Sequence, residues 1–240
     1  MDVIGWVKKH VIEPVAPGLV NTPSSKRLND KELLLLLARA AWDSYSLSGD
    51  CTGLELRDKQ RQNSEGDNWL NGIQYGLYEI LGGKHKGKKI LAFRGTDLSN
   101  AVSGGMTLLQ DLSVAFPAHG GPVAPIKLAI KAAVKATWDK DPDFICGHSL
   151  GGLIAECVCG ETGKPGASFN APGPWGVVPS NNLLTGDKYD GVKFEVHLTR
   201  RDPVSQVGSY MGPDHSHVGS PIWHDGSDHL MDPMIAEFGK

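Results

Sequence analysis

The feature that most restricts the fold of this chain is the run FICGHSLGGLIAECVCG at 144–160, where an apolar stretch, a glycine-flanked serine and a second apolar segment follow without a break. The stretch 144–146 reads as a short buried strand and 150–161 as a helix. Gly147-His148-Ser149-Leu150-Gly151 is therefore a G-x-S-x-G turn from strand to helix, the pattern of a nucleophile elbow. Such a turn holds its serine at a strained backbone position, and Gly147, Gly151 and Gly152 remove Cβ atoms that would collide with the neighbouring chain. The same turn sets Ser149 at a helix N-terminus, where backbone N–H groups stabilise developing negative charge.

The rest of the chain alternates strand and helix patterns. NDKELLLLLARAAWDSY at 29–45 is a helix with Asn29 or Asp30 as N-cap and Glu32 in its first turn. The polar, glycine-bearing stretch 46–68 reads as a loop, and GIQYGLYEI at 72–80 and KKILAFRG at 88–95 as two strands of a hairpin joined by GGKHKG. Further helices are expected near 108–114 and over 125–138, further strands around 167–170 and over 192–199, and a last helix anchored by Leu230, Met231, Met234 and Ile235. This order predicts an α/β fold with a mostly parallel central sheet flanked by helices. Residues 1–28, with Pro14, Pro17 and Pro23, read as a short helix and an irregular arm, and 29–240 as one domain.

Apolar residues make up 40% of the chain, enough for a sizeable core, yet no apolar run reaches the length of a membrane span. The net charge of −3 is too small to imply attraction to nucleic acid, so partner choice falls to a site. Cys51, Cys146, Cys157 and Cys159 lack CxxC spacing and read as small core residues. Lys8, Lys9 and Glu13 interrupt the stretch that a signal peptide needs, so the expected compartment is the cytoplasm, or the exterior by a signal-independent route.

A serine hydroxyl needs a base to take its proton and an acid to orient that base. Asp202 follows the strand KFEVHLT, and Pro203 limits its loop. Thr96, Ser149 and Asp202 each follow an expected strand, and the carboxyl ends of parallel strands line the ligand crevice of such sheets. Four histidines follow Asp202. His229, between a Gly-Ser loop and the final helix, is the candidate base, with His224 as the alternative. His215 and His217 lie in GPDHSHVG, a loop or an H-x-H pair lacking a third metal ligand, and His148 reads as structural. The backbone N–H of Leu150 and that of Thr96 are the candidate oxyanion donors.

ILAFRGTD, QDL at 110–112, AHGG at 118–121, GHSLGG, SFNAPG at 168–173 and RRDPV at 200–204 stand in the order found in class 3 lipases, the fungal triacylglycerol lipase-like α/β-hydrolases, and over about residues 30–235 the chain resembles that family. The leucine-rich helix ending AAWDSY resembles that family's first helix. The resemblance implies an α/β-hydrolase fold, Ser149 as nucleophile, Asp202 as acid, a C-terminal histidine as base, Thr96 and Leu150 as oxyanion donors, and a lid between Thr96 and Asp111. The expected activity is a serine ester hydrolase of lipase or phospholipase A type, working through an acyl-enzyme without metal or organic cofactor. Its partners would be a lipid or acyl-ester substrate and, transiently, a membrane surface. A small-ester or feruloyl-type carboxylesterase and an inactive hydrolase fold used for binding are the alternatives. The interval of 27 residues from Asp202 to His229 is shorter than in many family members, and the glycine-bearing lid segment argues against strong interfacial activation.

Overall fold

The computed structural model describes residues 26–60, 73–95, 124–174, 191–206, 217–218, 220–226 and 229–240. In chain order these form α1 (Lys31–Asp43), β1 (Leu54–Gln60), β2 (Tyr75–Ile80), β3 (Lys89–Phe93), α2 (Ala124–Lys140), β4 (Phe144–His148), α3 (Leu150–Thr162), β5 (Gly166–Phe169), β6 (Phe194–Thr199), β7 (Ile222–His224) and α4 (Asp232–Phe238). The strands make one seven-stranded sheet in the order β1 to β7. β1, β2 and β3 pair antiparallel, and β3 through β7 pair parallel. The protein is thus an α/β protein with a mostly parallel sheet.

Strand side chains alternate in direction, so each central strand feeds two cores. Leu91, Phe93 and Ile145 point to the face covered by α2 and α3. Ile90, Ala92, Phe144 and Cys146 point to the opposite face, covered by α1 and α4. Both faces being buried explains why these strands read as continuous apolar runs. Asp30 caps α1, its Oδ1 accepting from Leu33 N–H at 3.2 Å, while Asn29 sits just outside at φ 51°.

Two elements differ from expectation. The segment read as a loop over 46–68 contains β1, because Leu54 and Leu56 alternate with charged residues. Arg57 bonds Glu55 and Glu79 there, and this charged surface blunts the exposed sheet edge. β7 is only three residues long and carries no alternation to find. Thr96, the expected lid, the expected helix near 108–114 and residues 1–25 of the arm lie outside the described residues. The last residues of the arm run along the sheet, with Lys26 N–H donating to the Val192 carbonyl at 2.7 Å.

The start of α3 lies against the end of β3, and Gly151 makes this possible: a Cβ there would lie 2.1 Å from the Phe93 carbonyl oxygen. Backbone cannot yield as a flexible side chain does, so Gly151→Ala is expected to destabilise the protein by about 3 kcal/mol. Chemical denaturation checks this. A midpoint unchanged from wild type would mean that helix and strand are farther apart than this packing has them.

Candidate active site

Ser149 joins β4 to α3 with φ 56° and ψ −130°, a backbone conformation that non-glycine residues rarely adopt. Its neighbours over-determine it. A Cβ on Gly147 would lie 2.2 Å from the Gly151 carbonyl oxygen, and Ser149 N–H donates to the Phe169 carbonyl at 2.9 Å. The Ser149 carbonyl then accepts from Gly152 and Leu153 as α3 begins. Leu150 is the first helical residue, and N–H groups in a first turn have no partner inside the helix. At the end of β3, Gly95 faces the same turn: a Cβ on it would lie 2.6 Å from the His148 carbonyl and 3.2 Å from Ser149 Cβ.

Asp202 and His229 meet. His229 Nδ1–H donates to Asp202 Oδ2 at 2.8 Å, and Asp202 is fully buried. Burial by itself raises a carboxyl pKa. Here the bond from His229 and its charge, with the bonds from Ser205 and from Val204 N–H, outweigh burial and hold Asp202 below the usual carboxylate range. Asp202 Oδ2 also accepts from Ser205 Oγ at 2.6 Å and Ser205 N at 3.2 Å, and Oδ1 from Val204 N at 3.0 Å. The Asp202 carboxyl is therefore fixed in place with its ionised form favoured. With Nδ1–H donated to Asp202, a singly protonated His229 ring would present Nε2 as a lone pair. His229 Nε2 and Ser149 Oγ are both buried without a hydrogen-bond partner. A Ser-His proton transfer would join these two atoms.

Three further residues hold this arrangement, and sequence reasoning missed their roles. His148 reads in the sequence as a structural neighbour of Ser149, yet its ring centroid lies 4.7 Å from that of His229. His148 Nε2–H donates to the His229 carbonyl at 2.7 Å, and Tyr45 O–H donates to His148 Nδ1 at 2.7 Å. Burial, and next the charge of His229, push the His148 pKa down to about 3, so it stays neutral beside His229. Asn170, at φ 45°, donates from Nδ2 to the same His229 carbonyl at 3.1 Å, and its Oδ1 accepts from Thr199 N–H at 2.9 Å. One buried amide thus ties the His229 segment to the end of β6, three residues before Asp202. The sequence places Asn170 in SFNAPG, but no periodicity reveals which loops its side chain reaches.

The other histidines are engaged elsewhere. His224 uses both ring nitrogens, Nε2 with His197 Nδ1 at 2.9 Å and Nδ1 with Glu237 Oε2 at 3.0 Å. His217 Nδ1 lies 3.0 Å from Glu156 Oε1, inside the face covered by α3. His215 lies outside the described residues. Among the described residues, no group of three or more His, Cys, Asp or Glu has the geometry to hold a metal ion, and no helix is long and apolar enough to cross a membrane. Comparison with models of known protein families and with curated proteins gives no match.

Proposed function

We propose that this chain is a serine ester hydrolase of lipase or phospholipase type on an α/β-hydrolase fold. One observation carries the reading: an imidazole oriented by a buried carboxylate leaves its free nitrogen unpartnered, as is the hydroxyl of a serine on a strained strand-to-helix turn. The order Ser149, Asp202, His229, each just after a strand of the parallel sheet, supports the fold assignment.

In this mechanism His229 Nε2 takes the Ser149 proton as Oγ attacks the ester carbonyl, and Asp202 stabilises the imidazolium that forms. Leu150 N–H and, by sequence, Thr96 N–H hold the oxyanion; donors of this kind contribute about 3 kcal/mol each. The imidazolium passes its proton to the leaving alcohol, leaving an acyl ester on Ser149. Water, deprotonated by His229, then attacks that ester and releases the acid.

A fluorophosphonate probe tests the nucleophile directly. Labelling is expected on Ser149 of the wild-type protein and absent from Ser149→Ala, and an unlabelled wild-type protein would instead mark an inert fold used for binding. Mass spectrometry of products from mixed neutral glycerides and phospholipids then reads the substrate class. Activity confined to acetate and butyrate esters would move the reading to a small-ester carboxylesterase.

A further inference from the structure

The turn that ends α1 delivers one side chain to the strand-to-helix turn at Ser149. Asp43, the final residue of that helix, is buried. Its Oδ1 accepts from Ser46 Oγ at 3.0 Å and from Ser48 Oγ, and its Oδ2 from Gly49 N–H at 3.2 Å and from the Tyr78 hydroxyl of β2 at 2.9 Å. Residues 44–49 are thereby wrapped on one carboxyl group and fixed to the sheet, and Tyr45 lies among them. Trp42 packs beside it, its ring 5.7 Å from that of Tyr45 and 6.2 Å from that of His148. Gly95 leaves the room that the Tyr45 hydroxyl fills: a Cβ on Gly95 would lie 2.4 Å from that oxygen and 3.2 Å from Ser149 Cβ.

His148, the last residue of β4, has no exposure to solvent, so its ring nitrogens depend on partners inside the protein. Nε2 lies 2.7 Å from the His229 carbonyl oxygen, which can only accept, so Nε2 carries a proton. Burial, and next the charge of His229, keep the ring neutral, and a neutral imidazole has one N–H. Nδ1 is therefore a lone pair, and the Tyr45 hydroxyl 2.7 Å away is its donor. Turned over in the same space, the ring would set carbon atoms against both partners. With Tyr45 present the turned ring forfeits two hydrogen bonds; without the hydroxyl it forfeits one. A donor on Nδ1 also polarises the ring and strengthens the Nε2–H bond to the carbonyl.

The carbonyl that receives this bond belongs to the residue whose ring meets Asp202. Asn170, just past β5, donates to the same oxygen at 3.1 Å, so the His229 main chain is held from two strands. We propose that Tyr45 is a positioning residue for His229 that acts through His148: its hydroxyl fixes which way the imidazole faces, and the imidazole holds the His229 carbonyl. The effect on catalysis rests on the triad reading above; the state of the His148 ring stands without it.

Tyr45→Phe keeps the aromatic ring and removes only the hydroxyl. In ¹⁵N-histidine spectra of the wild-type protein at pH 7, His148 should be a neutral ring with its proton on Nε2. In Tyr45→Phe its Nδ1 resonance should move downfield as the donated bond is lost, and its Nε2 proton upfield as the bond to the carbonyl weakens. A proton on Nδ1 in wild type, or spectra that the exchange leaves unchanged, overturns the assignment of the ring. On the best ester of the glyceride and phospholipid panel, well below the melting temperature of either protein, kcat should fall by about three- to tenfold with KM unchanged, the scale of one hydrogen bond. The same exchange made in a His148→Phe background should alter kcat by less than about twofold, because the two residues act as one pair. A wild-type kcat in Tyr45→Phe, a loss confined to KM, or an equal loss in both backgrounds overturns the positioning role. If His148→Phe does not fold, the spectra and the kcat of Tyr45→Phe decide the matter. A wild-type protein that neither turns over any ester nor takes a fluorophosphonate on Ser149 overturns the triad reading instead, and the His148 ring is then judged by the spectra alone.

Discussion

Ser149→Ala is expected to lower kcat on the best ester of the substrate panel by about six orders of magnitude, because nucleophile, base and acid act as a unit. Its effect on stability is expected to be small. Ser149 Oγ makes no hydrogen bond in the resting protein, so deleting it orphans no partner, and alanine has the same backbone preferences at φ 56°. Initial rates and a thermal melt on the same preparation separate the two effects. A variant that keeps a tenth of the wild-type rate would place the chemistry on another group.

The second large effect is Asp202→Asn. An amide in place of the carboxylate cannot hold His229 with Nδ1 protonated and Nε2 free if its N–H turns toward the ring, and it cannot stabilise an imidazolium by charge. A fall in kcat of about four orders of magnitude is expected. Stability also suffers, because Asp202 accepts from His229, Ser205 and Val204 and an amide cannot accept from all of them. A loss of about 1–3 kcal/mol follows from the unsatisfied donors. The pH dependence has a definite sign. The carboxyl is held below its unfolded value, so its contribution is full above about pH 4 and is lost as pH falls through the lowered folded value. Denaturation at pH 3 and 7 checks this: the gap between wild type and Asp202→Asn should narrow at pH 3. A constant gap would mean that the carboxylate's hydrogen bonds do not carry its stability.

Much of the architecture was legible because local chemistry and tertiary context agree. Both central strands and α3 read from apolar runs that the sheet buries on two faces, and the glycines of GHSLGG mark a turn whose backbone contacts leave no room for side chains. β1 was illegible because its charged residues, paired along the sheet edge, have the composition of a loop. His224 and His229 illustrate the same limit at the site. Both follow Asp202 in order, and spacing leaves both open; the distinction is which ring meets Asp202 and which has both nitrogens already bonded.

What the amino-acid order determined by itself was the strand-to-helix turn at Ser149, the succession of β2 to β6 with the helices α1 to α4, and the loop after β6 that carries Asp202, since each depends on backbone sterics and hydrophobic period within about twenty residues. The partnerships of His148, Asn170 and His224 were decided only by the tertiary structure. Their members lie 13 to 103 residues apart, and a hydrogen bond records where two atoms meet in space, which no local pattern encodes.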